Sequence, residues 1–239
     1  MDRFAIAIVG HPARAKPALE LVERVGAEAV TWDDTGIGCA ENHLRAMEWL
    51  EGSDAEWAVI LEDDAVPVLG FRRQLSAALA ACPTPVCSLY LGTGRPPHWQ
   101  PSVAQMEGAH RLGVSPDVPW FTAPELLHGV GYAVRRELLW SLRRVVRRRV
   151  TKNGEPVDEA VSAWLKARGA ECSYSRPSLV DHADTPTLLA EHPTRHKGDP
   201  DRVGRAEVRR AWRVGCRDVW SPDSLPLPPP VIKRKRRKK

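Results

Sequence analysis

Three successive carboxylates, Glu62-Asp63-Asp64, close the run Trp57-Ala58-Val59-Ile60-Leu61. The run is apolar and β-branched enough to form a buried strand. Acids at the carboxyl end of such a strand stand where open α/β sheets bind ligands. Three together repel, and each loses hydration on burial unless a cation compensates. A hard divalent ion, Mn²⁺ or Mg²⁺, that also holds phosphate oxygens resolves that conflict. The plain alternative is a solvated acidic turn, because an acidic triplet alone is a weak motif.

The elements before the triplet must position it. Phe4 to Val9 reads as a first buried strand, and Gly10-His11-Pro12-Ala13-Arg14 as the turn after it. His11 and Arg14 are placed there to meet a nucleotide, since a helix N-terminus and an Arg suit anionic groups. An ordinary exposed turn is equally open. Lys16 to Val25 reads as a helix, with Pro17 in its first turn where the missing amide donor costs nothing. Glu28 to Trp32 is a second short strand. Asp33 and Asp34 end it and can accept from a base or ribose hydroxyl. A helix follows from Cys39 to Leu50, on which His43, Ala46, Met47 and Leu50 share a face, so that His43 reads as a satisfied, half-buried histidine. Strand, helix, strand, helix, strand predicts a parallel sheet with right-handed crossovers. The first turn lacks GxGxxG, so the dinucleotide fingerprint is absent.

Beyond the triplet, Phe71 to Ala81 reads as a helix and Pro85 to Leu91 as a strand. Gly92 to Pro119 reads as a long loop, marked by Gly94, Pro96, Pro97, Pro101 and Pro116. Leu126 to Val134 is strand and turn. Helices are predicted over Arg135 to Val150 and Pro156 to Arg168, and short strands over Cys172 to Tyr174 and Ser178 to Val180. Another helix is predicted over Arg202 to Arg213. The expected fold is one α/β domain, residues 1–220, with a mostly parallel central sheet flanked by helices. Residues 221–239 read as a Pro-rich extended spacer and a disordered basic tail.

The chain has 239 residues, 43% of them hydrophobic, enough for a sizeable core. Its net charge of +5 is concentrated at the end, where Lys233 to Lys239 are all Lys or Arg. Without those seven, 28 of the 35 basic residues remain against 30 acidic ones. Any attraction to a polyanion must therefore come from local patches. One is the predicted helix from Arg135 to Arg149, with seven Arg against one Glu. Arg143 and Arg147 share a face of it. Adjacent like charges cost stability, and a polyanion partner removes that cost. The tail, beginning with Lys233 and Arg234, adds salt-sensitive attraction for phosphates. A solvated face for the helix, and an anionic membrane or the ribosome for the tail, are the other readings.

The five cysteines are odd in number and show no CxxC spacing. That argues against a disulfide framework or a zinc ribbon, and fits a reducing compartment. Four of the five lie in apolar or element-edge settings and are expected only to pack. There is no signal-peptide pattern and no apolar run of membrane-spanning length. The expectation is a soluble cytoplasmic protein with no membrane insertion, in the host cytoplasm if virus-encoded.

Gly36-Ile37-Gly38-Cys39-Ala40-Glu41-Asn42-His43-Leu44-Arg45-Ala46 resembles the "GxxGCxxSHLRA" stretch of the lipopolysaccharide-type glycosyltransferases of family twenty-five. In that family, as here, a strand ending in "LEDD" follows. Gly131-Tyr132-Ala133-Val134 resembles its "GYxxS" strand, and Pro177-Ser178-Leu179-Val180-Asp181-His182 its "P-x-L-V-x-H" segment. The resemblance spans roughly residues 4 to 185, with gaps. Asn42 stands where the family has Ser, and the start is only loosely like the family's "NLxRxxxR".

The resemblance implies a GT-A fold, a nucleotide-sugar donor and a divalent metal at a DxD-type motif. It implies Asp64 as metal ligand, with Asp63 a second ligand or a ribose contact. His182 is the C-terminal histidine that completes the metal shell. Asp158, or else Glu159, opens a helix near the expected acceptor side and is the candidate general base. A helix N-terminal acid that merely satisfies the dipole is the alternative there. The favoured acceptor is a hydroxylated base in DNA, as in virus-encoded base-modifying transferases, which must expose or flip their base. A saccharide or protein acceptor is the next reading. A nucleotidyltransferase is disfavoured by the first turn. A non-catalytic nucleic-acid-binding protein explains the tail and the Arg helix but not the triplet.

Overall fold

A computed structural model describes residues 3–183, 185, 188 and 210–230. Its central feature is an eight-stranded sheet. In chain order the strands and helices are β1 (Phe4–Gly10), α1 (Ala15–Val25), β2 (Ala29–Trp32), α2 (Cys39–Glu51), β3 (Trp57–Glu62), β4 (Ala65–Pro67), α3 (Phe71–Ala81) and β5 (Val86–Ser88). They continue with α4 (Gln100–Arg111), β6 (Trp120–Ala123), β7 (Gly131–Arg135), α5 (Arg136–Asn153), α6 (Val157–Arg168), β8 (Cys172–Ser175), β9 (Val180–His182) and β10 (Ser224–Pro226).

The sheet order is β10-β6-β8-β5-β7-β3-β1-β2. The predicted parallel unit is present: β1 pairs parallel with both β2 and β3. Two further pairings, β5 with β8 and β6 with β10, are also parallel. Strand β7 runs antiparallel between β3 and β5, and β6 antiparallel to β8. The fold is therefore α/β with a mostly parallel sheet flanked by helices.

Strand β1 is buried along its whole length, as an interior parallel strand covered on both faces must be. Period-two alternation sends its residues to two cores. Ala5, Ala7 and Val9 pack with Leu44, Met47 and Leu50 of α2, Leu142 and Val146 of α5, and Trp164 of α6. Phe4, Ile6 and Ile8 pack with Leu21 and Val25 of α1 and Phe71, Leu75 and Leu79 of α3. Helices thus cover both faces and leave the strand ends open.

Four segments differ from the sequence expectation. The stretch expected to be an irregular loop, residues 92–119, contains α4, with Pro101 in its first turn and Ser102 and Val103 buried. A proline there costs no hydrogen bond, and the packing of Val103 and Met106 on the core outweighs poor propensity. Strand β9 covers Val180–His182 rather than Ser178–Val180, and pairs antiparallel with β4, placing His182 opposite Ala65. The helix expected over Arg202 to Arg213 lies mostly outside the described residues. At its described end Ala211 bridges Gly92, and Val214 just beyond it bridges Ser178. In the expected spacer, residues 224–226 pair with β6 as a sheet edge.

Candidate active site

The carboxyl end of β3 and the N-termini of α2 and α6 open on one cleft of about 810 Å³. Among its walls are Cys39, Glu62, His128, Asp158, Glu159 and His182. Local sequence explains the placement. Gly38 caps α2 with φ 87°, a conformation that favours glycine. Asp33 Oδ2 fixes that cap by accepting from Gly38 N at 3.1 Å. Gly129 lies so near the end of β3 that a Cβ there would stand 2.9 Å from Glu62 Oε1.

The triplet is divided among partners. Glu62 Oε1 lies 3.2 Å from His43 Nε2, and His43 Nδ1 lies 3.1 Å from the Tyr132 hydroxyl. Asp63 accepts from His11 N at 2.8 Å and from Arg14 Nη1 at 3.0 Å. Asp64 Oδ2 accepts from the same Nη1 at 2.7 Å and lies 3.5 Å from His182 Nε2. The repulsion expected from sequence is thus partly met within the chain, by Arg14.

Asp64 Oδ1 and His182 Nδ1 are nevertheless buried with no hydrogen-bond partner among the described residues. Burial, reinforced by the Glu62 charge, pushes the Asp64 carboxyl up to about 6. Its position is fixed by backbone, since Ala183 N donates to Asp64 O at 2.8 Å and extends the β4–β9 ladder. Asp158 lies in the same cleft at the first turn of α6, its Oδ1 accepting from Glu159 N at 2.9 Å. Burial, with further repulsion from Glu159 and Glu62, raises its carboxyl to about 7.

The remaining expected site residues are placed elsewhere or differently. His11 caps its own turn, its Nδ1 accepting from Ala13 N at 3.1 Å, and Arg14 turns to Asp63 and Asp64. Asp33 holds the glycine loop, while Asp34 is exposed and 3.4 Å from Arg45. Arg143 pairs with Glu51 at 2.7 Å and Glu48 at 3.4 Å, and Arg147 with Glu48 at 3.6 Å. Those ion pairs join α5 to α2 and use the charge that a polyanion was expected to neutralise. Lys233 and Arg234 lie outside the described residues.

No protein-family model and no curated protein matches the chain. Among solved structures, A197 from STIV is similar, with a TM-score of 0.43 and 10% identity over 85% of this chain and 95% of that one. No helix among the described residues is long and apolar enough to cross a membrane.

Sequence reasoning gave Cys39 no role of its own and took His43 to be merely satisfied. Both meet Glu62 at the cleft floor, where Cys39 Sγ lies 4.0 Å from Glu62 Oε1. The available signal was a Cys and a His four apart at the start of a helix, hence on one face.

Proposed function

We propose that the protein is a metal-dependent glycosyltransferase that moves a sugar from a nucleotide donor to a hydroxyl acceptor. The observation that carries this reading is the pairing of Asp64 with His182 beside a cleft that also holds Asp158. The resemblance to family twenty-five of the glycosyltransferases, in the segments around Gly36–Ala46 and Glu62–Asp64, supports it.

Asp64 and His182 fit a hard divalent cation. His182 Nε2 faces Asp64 Oδ2 at 3.5 Å, Asp64 Oδ1 is buried without a partner among the described residues, and an O/N donor set suits Mn²⁺. Such an ion, when bound, would neutralise the leaving diphosphate. Arg14 holds Asp63 and Asp64 in place from the protein side. Asp158, kept near neutral pKa by burial, would take the proton of the acceptor hydroxyl as the sugar carbon is attacked. Glu159 raises the basicity of Asp158 by its charge.

For the acceptor, a saccharide or protein hydroxyl is the reading we favour. The hydroxylated DNA base expected from sequence loses the support of Arg143 and Arg147, which are occupied by Glu48 and Glu51. It keeps the basic tail as support, and salt-dependent DNA binding separates the two acceptors. The test of the activity itself is release of nucleotide diphosphate from a panel of nucleotide sugars with and without Mn²⁺. Release that requires Mn²⁺ and is lost in Asp64→Asn supports the reading, and no release from any donor in the panel refutes it.

A further inference from the structure

Cys39, His43 and Glu62 form a cluster that the proposed sugar transfer does not use. Their ligating atoms all lie within 4.8 Å of one another. Glu62 Oε1 is 3.2 Å from His43 Nε2 and 4.0 Å from Cys39 Sγ. Around a tetrahedral Zn²⁺ the corresponding separations follow from the bond lengths as about 3.3 Å for N···O and about 3.5 Å for S···O. The N···O separation therefore matches a closed coordination edge, and Cys39 Sγ has about 0.5 Å to move toward Glu62 Oε1.

We infer that Cys39 Sγ, His43 Nε2 and Glu62 Oε1 form a binding site for a thiophilic divalent cation, Zn²⁺ foremost, at the floor of the cleft. Mixed sulfur, nitrogen and oxygen donors select zinc over the harder ions proposed for Asp64 and His182. The backbone is ready for it. Cys39 is the first residue of α2, and His43 lies one turn on, so both project to the same side. Glu62 ends β3, and its approach depends on the missing Cβ of Gly129.

The surroundings also suit the ion. The fully buried Tyr132 hydroxyl sits 3.1 Å from His43 Nδ1, where it can accept that ring N–H and leave Nε2 as the ligand. Burial, reinforced by the negative charges of Glu62, Asp64, Asp63 and Asp158, holds the Cys39 thiol well above its usual pKa. A divalent ion reverses that balance. On binding, the Cys39 S–H bond breaks, its proton leaves to solvent, and an S–Zn bond forms. With the Glu62 carboxylate and a neutral His43, the centre then carries no net charge. Cys39 and Glu62 both line the cleft, so the fourth position is open to water or to a ligand oxygen from that side.

The test of this site needs no sugar donor. The tag-free full chain, stripped with a chelator, is titrated with Zn²⁺ against a chromophoric competitor. One Zn²⁺ per chain is expected, and Cys39→Ser and His43→Gln should each weaken it by about a hundredfold or more, Tyr132→Phe by about tenfold. Co²⁺ should give a near-ultraviolet thiolate charge-transfer band that Asp64→Asn keeps and Cys39→Ser loses. Without any variant, Zn²⁺ should protect Cys39, but not the exposed Cys216, from alkylation read by peptide mass spectrometry. Unprotected Cys39 at saturating Zn²⁺, a cobalt spectrum with no sulfur ligand, or zinc affinity unchanged in a folded Cys39→Ser variant would overturn the assignment.

Discussion

The imidazole of His182 lies 3.5 Å from the carboxylate of Asp64, brought there by the short β4–β9 ladder that sets His182 opposite Ala65. Residues far apart in the chain thus meet at the end of β3, and the ladder is too short to serve as a core. Its role is positional. It fixes two potential ligands beside the cleft, while α1 and α2 hold the strands behind them.

Asp64→Asn should abolish donor turnover while leaving the fold intact. Residual activity above about a tenth of wild type, equivalent to about 1.4 kcal/mol of barrier, counts against a metal role. Stability should move the other way. The Asp64 carboxyl is raised to about 6 from 3.8, so its ionisation opposes folding as pH climbs through that window. At pH 7 the amide variant should therefore show a Tm no lower than wild type, measured by calorimetry without added metal.

Asp158→Asn should reduce kcat much more than it alters donor KM, because a general base acts in the chemical step. The carboxylate form is the active one, and burial places its pKa at about 7. Rate should thus rise with pH through about 7 and fall away below it. Glu159 contributes to that elevation, so Glu159→Gln should move the acid limb to lower pH. A limb that stays in place would assign the proton transfer to another group.

Much of the frame was legible because its signals are local. The β-branched run before Glu62 and the helical spacing of Leu44, Met47 and Leu50 specify burial without reference to distant residues. Asp158 at the first turn of α6 was equally readable. Partner choice was not. Arg14 has no local mark of its role as a counter-ion for Asp63 and Asp64, which only the folded turn reveals. Arg143 looked like one of a row of free charges, yet α2 supplies Glu48 and Glu51 across the helix interface. Helix α4 escaped because Pro101 and Gly108 lower its propensity, and its tertiary packing is invisible in a window of sequence.

Arg176 is fully buried beneath α4 and binds Glu107 at 3.2 Å and Asp117 at 3.0 Å. Arg176→Met leaves the largely buried Glu107 without its cation while Asp117 keeps Arg217, so the variant should cost about 1–3 kcal/mol in denaturant unfolding. The hydrogen bond from Arg217, with help from Arg176, holds Asp117 down at about 2. Its folded pKa is below the unfolded value, so its stabilisation is present above 3.8 and lost as pH falls towards 2. Asp117→Asn should accordingly lower Tm at neutral pH, with the gap from wild type closing in acid. A gap that persists below pH 2 would mean that the loss is one of packing.

Deleting Lys233 to Lys239 should reduce binding to duplex DNA and flatten its dependence on salt, while donor hydrolysis is unaffected. Each phosphate neutralised contributes about 0.9 to the slope of log affinity against log salt, so loss of several contacts is easily resolved. The Arg143→Met, Arg147→Met double variant should behave differently. Its charges are already met by Glu51 and Glu48, so the salt slope should stay near wild type. What it should lose is stability, by about 1 kcal/mol, because the half-buried Arg143–Glu51 pair ties α5 to α2. Titrating the full chain, the tail deletion and the double variant from low to moderate salt separates these outcomes. A double variant that flattens the slope as much as the tail deletion would show that α5 exchanges its internal carboxylates for phosphates, and would restore DNA as the leading acceptor. Absence of binding by all three at low salt leaves a saccharide or protein hydroxyl as the acceptor.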